Sequence, residues 1–191
     1  MMKVQERMMI KRIFGILVVV ATMAACSMTG SGTEPRLAMD RSYDLRGLNF
    51  STKDGITVSE ENRYYPTADI VWRGDEPGPR VQQIEAMFQT AAQRNESVLR
   101  GQRPIVVDVQ LQRFHGVTEQ TRATIGGVYN IIFLMTVRDA RTGEVIEPAR
   151  RIEADLRAPG GRQAIEMDRN GRTQKVEVTD FLTATLRNQL L

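Results

Sequence analysis

The clearest structural signal in the chain is the stretch TIGGVYNIIFLMTVR at residues 124–138. Its odd positions from 129 to 137 are all apolar, and this period of two is typical of a β-strand. Ile132 and Leu134 are apolar as well, so the second face of the strand is expected to be partly covered. A strand of this kind belongs in the middle of a sheet. Gly126-Gly127 falls within this strand region, where a β-bulge or a close backbone approach is favoured over a nucleotide-binding loop.

Further strands are predicted on both sides of this segment. Residues 105–112 alternate between apolar and polar side chains, which indicates a half-buried strand. A turn at residues 139–143 leads into a return strand at 145–157, where Ile152, Ala154 and Leu156 point inward and charged residues point outward. Shorter strands are predicted at residues 43–48, 56–58 and 69–72, and Asn170-Gly171 predicts a small hairpin between residues 163–168 and 173–178.

Two amphipathic helices complete the predicted fold. The first follows the Pro77-Gly78-Pro79 turn, ends at Gly101 and carries one apolar face. The second is expected to be capped by Thr179, with an apolar stripe behind the cap. Together these elements predict an α+β class: a largely antiparallel sheet with two main helices packed on one face. The stripe of the second helix is Phe181, Leu182, Leu186 and Leu190.

The N-terminal segment is typical of a secretory signal. Lys11-Arg12 precedes an apolar run over residues 13–25 that ends in small residues. These 13 residues are fewer than the roughly 20 that span a bilayer as a helix, so we expect the segment to be removed. The predicted organisation is a lipoprotein signal peptide at 1–25, a lipidated N-terminus and flexible tether at 26–41, and a single globular domain at 42–191.

The sole cysteine, Cys26, directly follows Met23-Ala24-Ala25. This spacing resembles the lipobox of bacterial lipoproteins, with Met23 in place of the usual leucine. The resemblance implies cleavage before Cys26, a diacylglyceryl group on its sulfur and a further acyl chain, and two or more chains anchor a protein durably. Ser27 resembles the class sorted to the outer membrane, so the periplasmic side of a membrane is expected, with the outer membrane favoured. The alternative is an unmodified secreted protein cut near Ala25.

The charge balance excludes a strongly basic nucleic-acid binder. The formal net charge is +3, but residues 1–25 contribute four basic residues and one acidic residue. Residues 26–191 are therefore neutral, with 22 residues of each sign. A nucleic-acid-binding protein needs a surplus of cations that displaces counterions from the phosphates. No nucleic-acid partner is expected.

Candidate catalytic and ligand-contacting residues are few. His115 is the sole histidine, and no nucleophile-elbow pattern accompanies it, so strand-end packing or hydrogen bonding is favoured over ligand contact and catalysis. Trp72-Arg73 places an aromatic side chain beside a cation. Core packing is favoured for Trp72, and contact with a ligand or partner is the alternative. Arg73 and Arg113 are further candidates for such a contact. Zinc needs several His or Cys ligands, and Cys26 is assigned to lipid. No metal and no cofactor are expected.

Five short segments carry a further resemblance: NRYYP at 62–66, ADIVWRG at 68–74, RFH at 113–115, GGV at 126–128 and TQKV at 173–176. Together they resemble an uncharacterised family of alphaproteobacterial lipoproteins over most of residues 26–191. That resemblance implies a lipid anchor but brings no established activity. The order of elements is also similar, more loosely, to auxiliary lipoproteins of envelope ABC-type transport systems, and a likeness at the level of the fold implies little about function.

These observations predict a membrane-anchored protein that is not an enzyme. A non-enzymatic interaction or accessory module in envelope assembly, lipid transport or maintenance is expected, because the domain is neutral and poor in catalytic groups. Its partners would be the membrane, through the covalent lipid, and an envelope protein complex. Two alternatives remain: a small-ligand binder with a pocket between helix and sheet, and an envelope hydrolase that uses His115.

Overall fold

A five-stranded sheet organises residues 41–191, the part of the chain that the computed structural model describes. The strands lie side by side in the order β1-β3-β4-β5, and β2 pairs with the end of β3 beyond β1. β1 and β2 run parallel to β3, whereas the β3–β4 and β4–β5 pairs are antiparallel. The strands are β1 (Tyr43–Thr52), β2 (Ile70–Val71), β3 (Arg103–His115), β4 (Gly127–Asp139) and β5 (Val145–Ala158).

Four helices connect and cover the strands: α1 (Arg80–Glu96), α2 (Glu119–Ala123), α3 (Gly161–Arg169) and α4 (Gln174–Leu190). The two long helices, α1 and α4, contact each other and bury their apolar faces in one core with the inner face of the sheet. The predicted α+β class, with a largely antiparallel sheet and two main helices, is confirmed. The predicted signal peptide, Cys26 and the tether as far as residue 40 lie outside the described residues.

The central strand β4 has the inner face that its sequence predicts. Its odd residues from Tyr129 to Val137 are at most 1% exposed, whereas Ile132 and Leu134 are only partly buried on the opposite face. Phe133 meets Phe88 of α1 edge-on, with ring centroids 5.4 Å apart. Each fully buried side chain of this size contributes about 2 kcal/mol, so this strand is a main source of the core's stability.

The predicted hairpin around Asn170-Gly171 is wrong, because these residues join α3 to α4. Gly171 has a φ of +74°, a conformation that serves a helix-to-helix link as well as a tight hairpin turn. The helix cap predicted at Thr179 is wrong for a related reason. Thr173 caps α4 by accepting a hydrogen bond from the Val176 amide, and Thr179 lies inside the helix, where it donates to the Lys175 carbonyl at 2.7 Å.

Three element boundaries also differ from the prediction. Residues 56–58 form a single bridge, Val58 to Ile70, rather than a strand. α1 ends at Glu96 instead of Gly101. β4 starts at Gly127 instead of residue 124, and residues 119–123 before it form the unpredicted helix α2. Gly126 has a φ of +71° just before β4, and a Cβ there would lie 2.4 Å from the Ala158 carbonyl oxygen. The close backbone approach that the glycine pair predicts is therefore present.

Candidate functional site

The face of the sheet on which no helix of residues 41–191 packs presents two of the candidate residues. Arg113 and His115 flank Phe114, whose side chain is fully buried in the core. Because side chains alternate along a strand, Arg113 and His115 point to the opposite face, beside Ile132 and Asn130 of β4. We call this surface of β3, β4 and β5 the open face.

A groove of about 630 Å³ lies at the end of β3, where the open face meets the loop that follows β1. One wall consists of Arg113 and His115, and the other consists of loop residues 57 and 65–69. The parallel pairing of β2 with β3 positions this loop, because residue 69 directly precedes β2. We call this depression the β3-end groove.

His115 joins the two walls of the β3-end groove. Its Nε2 lies 3.0 Å from the carbonyl oxygen of Pro66. A carbonyl oxygen only accepts hydrogen bonds, so Nε2 carries the hydrogen and donates. Strand-end hydrogen bonding is the role that the sequence favours for His115. Within residues 41–191 no hydroxyl or carboxylate hydrogen-bonds to the ring, so the arrangement offers no general base paired with a nucleophile.

Asp69 fixes the loop wall of the groove. One carboxylate oxygen accepts from Lys53 Nζ at 2.6 Å, and the other accepts from the Thr57 amide at 3.0 Å and the Thr57 hydroxyl at 2.9 Å. The bond from Lys53 is the largest influence, followed by those from Thr57, and together they lower the pKa of Asp69 to about 2. Asp69 is therefore ionised at neutral pH, and its charge is compensated by Lys53.

Arg113 and Tyr65 are the groove residues whose polar or aromatic groups remain available. Arg113 is partly buried, yet no acceptor within the described residues hydrogen-bonds or ion-pairs with its guanidinium. Tyr65 is 80% exposed, the largest exposure of any aromatic side chain in residues 41–191. The groove therefore combines an unpaired cation with an accessible ring. The sequence indicated Arg113 and His115 but gave Tyr65, Thr57 and Asp69 no role.

Trp72 and Arg73 have structural partners instead. The Trp72 ring is fully buried, meets Phe114 edge-on at 5.5 Å and donates its Nε1 hydrogen to Asp75 at 2.8 Å. Core packing is the interpretation that the sequence favours for this residue. Arg73 donates from Nε to both carboxylate oxygens of Glu119 at 2.9 Å and also pairs with Glu60. These two residues lie together, but neither lines the β3-end groove.

A second depression, of about 770 Å³, lies between the start of β1 and the C-terminal end of α1. Its walls are mainly charged or polar, and they include Asp44, Arg46, Glu96 and Arg100. This depression lies between helix and sheet, where the sequence places the pocket of the small-ligand binder. Across residues 41–191 the structure shows no cluster of His, Cys, Asp and Glu suited to a metal, and no helix in that range is long and apolar enough to cross a bilayer.

The sequence profile of a family of unknown function, DUF6778, matches residues 43–191. The chain belongs to this family. The match starts at the first residue of β1 and includes the five strands, the four helices and the β3-end groove of the described part of the chain. The resemblance to an uncharacterised family is thus confirmed at the level of DUF6778, whereas an alphaproteobacterial origin and a likeness to transport-system lipoproteins stay predictions.

Among solved structures, this DUF6778 chain is similar to one described as a "putative lipoprotein from Caulobacter crescentus CB15". The two chains are 11% identical, and the similarity covers 78% of this chain and 88% of the other. The TM-score is 0.32, which is too low to support a conclusion about fold or function. No curated protein sequence matches the chain.

Proposed function

We propose that this DUF6778 protein is a lipid-anchored lipoprotein of the bacterial envelope and that its α+β domain is a non-enzymatic interaction module. Support for the anchor comes from the sequence motif Met23-Ala24-Ala25-Cys26 behind an apolar run of signal-peptide length. Ser27 favours the outer membrane over the inner, with the domain on the periplasmic side. The proposal involves no cofactor and no nucleic acid.

The open face is the observation that carries the interaction role. Its centre is apolar, because Ile132 and Leu134 of β4 lie there only partly buried. Polar pairs surround this centre, so the face has the apolar core and polar rim found in protein–protein interfaces. The pairs are Asn130 with Asp155 at 2.7 Å, Arg151 with Glu153 at 2.5 Å, and Arg138 with Asp108 at 2.5 Å.

The charges on the open face also indicate the kind of partner. Arg151 and Arg138 offset the charges of Glu153 and Asp108, and Arg113 at the end of the face balances Asp155, whose partner Asn130 is neutral, so the face carries little net charge. A surface of this kind suits a protein with a matching apolar patch better than a polyanion, which needs a surplus of cations. We therefore propose a protein of the envelope as the partner, and we extend this to an accessory role in envelope assembly, lipid transport or maintenance in alphaproteobacteria.

Metabolic labelling tests the anchor. Cells that express the full chain are fed radiolabelled palmitate, and the matched variant is Cys26→Ser, which replaces one sulfur by oxygen. We expect label in the wild-type protein, no label in the variant, and release of the variant from the membrane fraction. Equal labelling of both proteins, or no labelling of either, would contradict the lipid anchor.

Site-specific crosslinking in cells tests the interaction face. A photo-reactive amino acid is placed at Ile132 or Leu134 of the open face, and the control position is Ala184, which is exposed on α4. We expect mass spectrometry to identify the same envelope protein in adducts from both open-face positions and not from Ala184. Adducts of equal yield from Ala184, or no adduct from either open-face position, would refute this assignment.

The β3-end groove favours a second candidate function, the binding of a small ligand. Its volume of about 630 Å³ lies within the range of roughly 300–1,000 Å³ that is usual for ligand pockets. The groove opens at one end of the open face, so a bound ligand and a bound protein could influence each other there.

A further inference from the structure

Arg113 differs from the other partly buried or buried arginines in residues 41–191. Each of the others has a carboxylate or amide acceptor; for example, Arg80 pairs with Glu60 and Arg122 pairs with Asp168. Apart from Arg113, the arginines in residues 41–191 that have no partner are all exposed. The guanidinium nitrogens of Arg113 are not buried away from water, so they remain free to donate two hydrogens to a bound anion.

The carboxylate that lines the same groove does not compete for Arg113. Both oxygens of Asp69 are occupied by Lys53 and Thr57, and this pairing cancels its charge. The positive charge of Arg113 therefore remains uncompensated at the groove wall. A carboxylate or a phosphate matches the planar fork of a guanidinium and can bind it with two parallel hydrogen bonds.

Tyr65 supplies the second recognition element of the groove. Its ring is 80% exposed, and the Pro66 that follows is buried and fixed by the hydrogen bond from His115. This hydrogen bond fixes the backbone beside Tyr65, and the exposed ring offers a flat apolar surface on which a flat group can stack. A small molecule that contacts both Arg113 and Tyr65 therefore carries an anionic group next to a flat apolar group.

We propose that the β3-end groove binds a small organic anion, a carboxylate or phosphate joined to a flat apolar body. Arg113 holds the anionic group, and Tyr65 stacks on the body. This inference deepens the second candidate function and depends on neither the lipid anchor nor the open face, so its failure leaves those proposals intact. The labelling and crosslinking results are equally independent of it.

A ligand-observed NMR titration of the full chain in detergent tests the proposal with three probes: benzoate, phenyl phosphate and benzyl alcohol. The two anions represent the two kinds of headgroup, and the alcohol keeps the ring without the charge. We expect one or both anions to bind with a Kd on the order of 1 mM, as is usual for probes of this size. Benzyl alcohol should bind at least about tenfold more weakly, because it cannot form the charged hydrogen bonds.

Variants assign the binding to the groove. Arg113→Gln should weaken anion binding by at least about tenfold, and Arg113→Lys, which keeps the charge but not the fork, by less. Tyr65→Ala should weaken it by about fivefold. The control is Arg157→Gln, because Arg157 is an exposed arginine on β5 that also has no partner among the described residues. Absence of anion binding at about 20 mM, equal binding of benzyl alcohol, or an equal loss in the Arg157 variant would overturn the proposal.

Discussion

Replacing Asp69 by asparagine should destabilise the protein in a pH-dependent way. The lowering of the Asp69 pKa from 3.8 to about 2 corresponds to at most about 2.5 kcal/mol of folding free energy. Because the Asp69 side chain retains 21% exposure, solvent screening reduces the expected contribution to about 1 kcal/mol. Asp69→Asn should therefore lower the urea midpoint at pH 7 by about 0.5 M, given a slope of about 2 kcal/mol per molar urea.

The sign of the pH dependence follows from the direction of this pKa change. The carboxylate is favoured in the folded state, so its stabilisation is complete above the unfolded pKa near 3.8 and is lost as the pH falls toward 2. The difference in unfolding free energy between wild type and Asp69→Asn should fall to about half by pH 3. The fluorescence of Trp72, the sole tryptophan and fully buried, reports unfolding.

The matched control for this experiment is Asp54→Asn. Asp54 is an exposed carboxylate in the same loop and has no partner among the described residues, so its replacement should change the unfolding free energy by less than about 0.5 kcal/mol. A difference between wild type and Asp69→Asn that stays constant from pH 7 to pH 3 would refute the reasoning. An equal effect of Asp54→Asn would do the same.

Two further predictions concern the packing of the domain. Gly126→Ala should lower the free energy of unfolding in urea by about 3 kcal/mol, because the φ is positive and a Cβ would lie 2.4 Å from the Ala158 carbonyl oxygen. The control is Gly143→Ala, which has a similar φ of +75° but open space around the Cβ, and it should cost only about 1 kcal/mol. Equal costs would contradict the steric explanation. Burial, reinforced by the 2.7 Å hydrogen bond to Glu147, raises the pKa of Tyr43 to about 12. Tyr43→Phe should therefore remove one step near pH 12 from the ultraviolet titration. Loss of a step near pH 10 instead would show that burial and Glu147 do not hold this phenol neutral.

The strands β3, β4 and β5 could be predicted because each has a stretch in which every second side chain is buried or partly buried: residues 105–111, 129–137 and 152–158. A face that excludes water forces apolar residues to every second position, and this constraint is local enough to appear in the sequence. The segment around Asn170-Gly171 lacks such a constraint. Both a hairpin and a link between helices use a glycine with positive φ, and tertiary contacts select the helices: Gln174 accepts a hydrogen bond from Tyr129, and Val178 lies fully in the core.

The candidate site could be predicted only on its strand side. Arg113 and His115 lie near the end of a strand that the sequence shows clearly. The loop wall depends on contacts between distant residues, such as Lys53 with Asp69 and His115 with Pro66. No periodic pattern encodes these contacts, because they arise from the pairing of the two-residue strand β2 with the end of β3. No sequence signal therefore places the exposed ring of Tyr65 in a groove.

The parallel pairing of β1 with β3 has a consequence for biogenesis. Tyr43 lies opposite Arg103, so about 60 residues separate the two partners along the chain. At a synthesis rate of about 5–20 residues per second, β1 leaves the ribosome several seconds before its partner exists. During that interval Leu45 and Leu48, which are buried in the finished domain, have no sheet to join. Burial of these two side chains therefore follows the appearance of β3 in the chain.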